Sequence, residues 1–176
     1  MEEFQMHTWT LDKPDNLIDW WEESVAQFAD RRLFGTKDKN GVYEWVTFKE
    51  VGTRINNLRA GLAQLGIDNG DAVGIIANNR VEWPVAAFAT WGRIARFVPM
   101  YEAELVQVWK YIINNSQVKV LFVAKPEIYE KIKDFPKDIP TLKHIFVIDA
   151  EGDNSMAAVE KMGAAKPVPP QPPSPT

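Results

Sequence analysis

The chain has 176 residues, 45% hydrophobic and 25% charged, and carries a net charge of −4 with both signs mixed along its length. That mixture excludes the basic footprint of a nucleic-acid binder, and the lack of cysteine excludes disulfides, thiolate catalysis and Cys-based metal sites. No apolar run reaches the ~18 residues of a membrane span, and the polar opening MEEFQMHTWTLDKPD has no apolar signal core, so a cytoplasmic chain is expected.

Residues 1–13 show no period and read as an N-terminal arm. Asp15 or Asn16 caps a helix whose Leu17, Trp20, Trp21, Val25 and Phe28 recur at helical spacing. Trp20-Trp21 has two readings, a membrane-interface anchor or a core-facing stripe. The acidic Asp19, Glu22 and Glu23 beside it favour the stripe, because an acidic face is repelled by anionic lipid. Leu33-Phe34-Gly35 and Val42 to Val46 then form a hairpin across Asp38-Lys39-Asn40-Gly41, where Asn-Gly is a strong turn signal. Thr47-Phe48-Lys49-Glu50 has the spacing of a capping box. Val51, Ile55, Leu58, Leu62 and Leu65 make an apolar stripe behind it, and Gly66-Ile67 supplies the helix stop.

Ala72 to Ala77 is a short apolar run suited to a parallel strand buried on both faces. Asn78 or Asn79 caps the next helix, with Asn79-x-x-Glu82 at part of a capping box's spacing. Trp83, Ala87 and Trp91 recur before Phe97-Val98-Pro99-Met100 returns as a strand, which completes a βαβ unit. A helix through Leu105, Val108, Trp109, Ile112 and Ile113 leads to a strand at Val118 to Val123. Pro126 opens a shorter helix with Ile128, Ile132 and Phe135 on one face. Pro136 and Pro140 break the chain before a last strand, His144 to Ile148. The alternation predicts an α/β fold, a layered and mostly parallel sheet with helices on both faces, over residues 14–150. Residues 151–176 read as a Pro-rich linker or tail, with a short helix at Ser155 to Met162. Pro167-x-x-Pro170 and Pro170-x-x-Pro173 also have the spacing of a polyproline ligand, and the linker reading is preferred.

Chemistry-bearing constellations are sparse. The ten glycines lie at least four residues apart, and neither G-x-G-x-x-G nor the Walker pattern occurs. His7 falls in the arm and His144 in a strand, which leaves no converging nucleophile–base set and too few ligands for a metal. Asn78-Asn79 sits where open α/β sheets place ligands, but strand end plus helix cap is the simpler reading. No catalytic, cofactor-binding or metal-ligating residue is assigned.

Four segments carry a family resemblance: Gly70-Asp71-Ala72-Val73, Asn79-Arg80-Val81-Glu82-Trp83, Ala95 to Glu102, and Trp45-Val46-Thr47-Phe48-Lys49-Glu50. From about Leu17 onward the chain resembles the N-terminal region of AMP-forming acyl-CoA synthetases, in the adenylate-forming superfamily, and within it the long-chain fatty acid–CoA ligases. The resemblance implies an incomplete N-terminal subdomain of that fold. It also implies ATP, Mg²⁺ and CoA as the cofactors of a full-length relative that converts a fatty acid to acyl-CoA, with peripheral membrane attachment open in that context. In the family, a proline-containing stretch similar to Gln171-Pro172-Pro173-Ser174-Pro175 leads into the Thr-Ser-Gly-Thr-Thr-Gly phosphate loop. Neither that loop nor the family's later carboxylate motifs, hinge and catalytic lysine occurs here, so no family site residue is carried over. Three positions depart from the pattern. Ile94 replaces a common glycine, which predicts a re-routed helix exit; Arg93 replaces an apolar neighbour; and Pro84 threatens a helical hydrogen bond. The expectation is a truncated, non-catalytic segment whose partner is the remainder of a synthetase. The alternative is a stand-alone interaction module that binds a full-length synthetase or a proline-recognising domain, and an unrelated flavodoxin-like nucleotide binder ranks last.

Overall fold

The computed structural model describes residues 14–171, so His7 and the proposed arm lie outside the described residues, as do Pro172 to Thr176. Asn16 rather than Asp15 caps α1 (Leu17–Phe28), its side chain accepting from the amides of Ile18 and Asp19. Only part of the predicted stripe faces inward. Trp21 and Phe28 are buried, whereas Leu17 and Trp20 are exposed. Trp21 stacks near Phe48 and Phe88, so the core reading of that aromatic holds.

The hairpin pairs β1 (Arg32–Lys37) with β2 (Tyr43–Thr47), antiparallel, with Gly35 opposite Trp45. Val42 falls in the turn instead of the strand. The reason is Asp38, whose carboxylate accepts from the amides of Asn40 and Val42, each at 2.8 Å, and so draws Val42 into the loop. Next comes α2 (Phe48–Gln64) with its complete capping box: Thr47 accepts from the Glu50 amide, and Glu50 accepts from the Thr47 amide at 2.7 Å. Its exit is a Schellman stop. Gly66 has φ 77°, its amide donates to Ala63 and that of Ile67 to Leu62. Val51, Ile55, Leu58 and Leu62 are each at most 1% exposed, so each contributes roughly 1.5–3 kcal/mol through burial. Thr47→Ala should therefore cost about 0.5–2 kcal/mol, and a urea midpoint that does not move would refute the cap.

Four parallel strands follow: β3 (Ala72–Ile76), β4 (Arg96–Met100), β5 (Val118–Val123) and β6 (His144–Val147), in sheet order β4-β3-β5-β6. All five residues of β3 are buried, as the apolar run predicts. Pro99 is tolerated because β4 is an edge strand with one side free of the ladder. The chain steps from β3 to β4 in one direction and from β4 to β5 in the other. With right-handed crossovers, α3 (Glu82–Trp91) and α4 (Val106–Asn115) therefore lie on opposite faces of the sheet. The layered α/β architecture follows from that reversal.

The departures from pattern cost less than the sequence suggests. Ile94 adopts the left-handed conformation at φ 54°. Three backbone hydrogen bonds hold it there: its amide to Trp91, its carbonyl from Gly70, and Ala95 to Thr90. Pro84 is the third residue of α3, where a helical amide has no partner to lose. Arg93 donates to the Ile67 carbonyl and pairs with Asp68, which ties the α2 exit to the α3 exit.

After β5, α5 (Pro126–Ile132) begins with proline as predicted, and Ile128, Ile132 and Phe135 are buried together. Pro136 does not break the chain. It occupies the first turn of α6 (Phe135–Asp138), a position that needs no amide. Ser155 caps α7 (Met156–Ala164), which lies along α2 with Gly61 and Gly163 at the crossing. Residues 166–171 run back over the body. The Val168 carbonyl accepts from Arg59 Nε at 3.3 Å, and the Gln171 amide donates to Gly92 at 2.9 Å. Among the described residues, no helix is long and apolar enough to cross a membrane.

Candidate functional site

Parallel strands end together, and the loops that leave them define one face of the sheet. A cavity of about 580 Å³ opens there between the ends of β3 and β4, lined by Ala77, Asn78, Asn79, Trp83, Pro99, Met100 and Tyr101. A second, of about 310 Å³, lies on the hairpin side of α3 against Phe34, Gly35 and Thr36. Asn79 and Trp83 line both. Trp83 is held edge-on to Phe97 with ring centroids 5.0 Å apart, so it acts as the wall between them.

Neither asparagine caps α3, contrary to the sequence reading. Val81 is the capping residue, with no side-chain bond, and the Asn79–Glu82 box does not form. The cause is Glu82, whose carboxylate is taken by Arg80 at 2.7 Å and Arg54 at 3.0 Å and so cannot reach back. The side chains of Asn78 and Asn79 stay exposed, with no hydrogen bond among the described residues. Arg80 also reaches Asp149 at 2.7 Å, and Arg54 reaches Glu160 at 2.9 Å. Burial acts against ionisation of Glu82, but the Arg80 hydrogen bond and the Arg54 charge outweigh it and hold the carboxyl below its ordinary range.

The chain reverses direction at β3, so the topological switch point lies between the ends of β3 and β5. Glu102, from the loop after β4, fills it. One carboxylate oxygen accepts the Asn78 amide at 2.8 Å and the other accepts Lys125 Nζ at 2.9 Å. Burial opposes this charge too; the Asn78 amide and the Lys125 ammonium prevail and lower its pKa. Lys125 is raised by the same hydrogen bond.

The charged donors at this face are paired within the chain. The Asn78 backbone amide is donated to Glu102, Lys125 is paired with Glu102, and Arg80 is paired with Glu82 and Asp149. Among the described residues, no cluster of three His, Asp or Glu could hold a metal ion. His144 stacks on Phe146 at 5.9 Å on β6, a packed position remote from this face's loops. Sequence reasoning missed Glu102, Lys125 and Arg54 as partners. No periodicity marks them, because each meets its partner only through the crossovers.

Residues 21–176 match the protein-family model described as "AMP-binding enzyme". The chain is 30% identical over 183 residues to human long-chain-fatty-acid–CoA ligase 1, covering 93% of this chain and 26% of that protein. It is 29% identical to fatty acyl-CoA synthetase A of Dictyostelium discoideum, over 88% of this chain and 25% of that one. Two solved structures share the fold with a TM-score of 0.74. They are the anthranilate CoA ligase AuaEII in complex with anthranoyl-AMP, at 24% identity over 86% of this chain and 28% of its own, and the long-chain-fatty-acid-CoA ligase FadD1 from Archaeoglobus fulgidus, at 20% identity over 92% and 32%. The chain spans about a quarter of the length of the curated relatives it matches.

Proposed function

This chain belongs to the AMP-binding enzyme family, and from that premise we propose that it is N-terminal scaffold of a fatty acyl-CoA synthetase and is not itself catalytic. The observation that carries this reading is the match to long-chain ligases, which takes in nearly all of this chain and about a quarter of theirs. In this reading ATP, Mg²⁺ and CoA are held by residues other than those present, in the cytoplasm, and the chain's main partner is the rest of a synthetase. The internally satisfied switch point supports it, since its donors are spent on Glu102 and offer none to an adenylate. The docking of residues 168–171 weighs against a proline-recognition module at Pro167-x-x-Pro170, because Val168 and Gln171 are tied to Arg59 and Gly92.

Losing one preorganised charge-stabilising donor costs a factor of ~10²–10³ in rate. With the phosphate loop and the catalytic lysine both absent from the sequence, turnover should be undetectable. The assay is fatty-acid-dependent exchange of pyrophosphate into ATP, alongside calorimetric titration of Mg-ATP. Exchange above a heat-killed control, or micromolar binding, would overturn the proposal.

A further inference from the structure

We propose that the switch-point crevice is an oxyanion site which the chain's own Glu102 keeps closed, so that a free phosphate or similar small oxyanion enters only when that carboxylate is removed. Two donors able to hold an oxyanion, the Asn78 backbone amide after β3 and the Lys125 ammonium after β5, each take one oxygen of the Glu102 carboxylate, at 2.8 and 2.9 Å. The position is where open parallel sheets bind ligands. The Glu102 side chain is only 13% exposed, whereas that of Lys125 is 52% exposed, so the carboxylate lies inward of a lysine that reaches solvent.

Tethering explains why the plug holds. An intramolecular ligand presents an effective concentration on the order of millimolar or more, so free phosphate at similar levels does not displace it. Removing the carboxylate would raise the local charge by one and leave the Asn78 amide and Lys125 convergent and unpaired. Asp149 and Glu127 remain close enough to act on Lys125, which limits the opened site to a small anion and disfavours a polyphosphate.

The test is inorganic phosphate against wild type, Glu102→Ala and the double variant Glu102→Ala/Lys125→Met. Melting is followed at matched ionic strength, with calorimetric titration in parallel. Phosphate raises the stability of most folded proteins slightly by exclusion from their surface, so the readout is the difference from wild type. At phosphate ten times its dissociation constant, Glu102→Ala should melt roughly 3–6 °C higher in a saturable way, with wild type and the double variant unmoved beyond the common background. Glu102→Gln keeps the side-chain shape and should show a smaller saturable shift, so it decides the matter if the alanine variant does not fold. A folded variant at Glu102 that responds to phosphate no more than wild type overturns the proposal, as does equal saturable binding by wild type or by the double variant.

Discussion

Gly163→Ala is expected to lower the free energy of unfolding by about 2–3 kcal/mol, although it adds only one methyl group. The residue lies on α7 where that helix crosses α2. A Cβ there would collide with the Asn57 carbonyl oxygen and close on the Gly61 amide, and one at Gly61 would strike the Val159 carbonyl. These obstacles are backbone atoms, so no rotamer change relieves the overlap and α7 must move outward. Two effects then oppose one another. Alanine favours a helix over glycine by about 1 kcal/mol, whereas separating α7 from α2 loosens Met156 and Val159, both at most 2% exposed. It also stretches the 2.9 Å pair between Arg54 and Glu160. Separation should win. Urea unfolding of wild type and variant decides the sign, and an equal or higher midpoint for the variant would mean that the close crossing does not exist in solution.

That crossing also shows where the sequence stops being informative. Order within an element was legible: the Thr47–Glu50 box, the Gly66-Ile67 stop and the buried β3 are local patterns, and the structure forms each of them. The βαβ unit followed from strand and helix period alone. Illegible was anything that depends on which element meets which. Gly61 and Gly163 are unremarkable glycines until two helices cross at them. Glu102 and Lys125, 23 residues apart, become partners only because the sheet order reverses at β3. Asn79 misled for the same reason: its spacing to Glu82 is right for a capping box, but Arg54 and Arg80 arrive from elsewhere and take the carboxylate. Ile94 misled in the other direction, since three backbone hydrogen bonds outweigh a local preference worth about 1–3 kcal/mol.

Arg54→Met carries the second large effect, and its dependence on pH identifies the cause. Arg54 on α2 bonds Glu82 of α3 at 3.0 Å and Glu160 of α7 at 2.9 Å, so one guanidinium joins three helices. The two carboxylates are 16% and 14% exposed. Exposed pairs are worth about 0–1 kcal/mol, while breaking a fully buried one costs about 3–5 kcal/mol. Arg54 itself is a third exposed, and Glu82 keeps Arg80, so the expected loss at pH 7 is about 1–3 kcal/mol. Glu82 has its folded pKa depressed below the ordinary 4.5. A depressed carboxylate contributes stability above its unfolded pKa and loses it as pH falls through the folded value. The gap between wild type and variant should therefore be full at pH 7, begin to shrink below about pH 4.5, and narrow further as Glu82 is protonated. Urea midpoints at pH 7 and pH 3 test this directly. A gap that persists unchanged at pH 3 would mean that the loss does not come from the carboxylate pairs, and would remove the ionic link between α2, α3 and α7 as its cause.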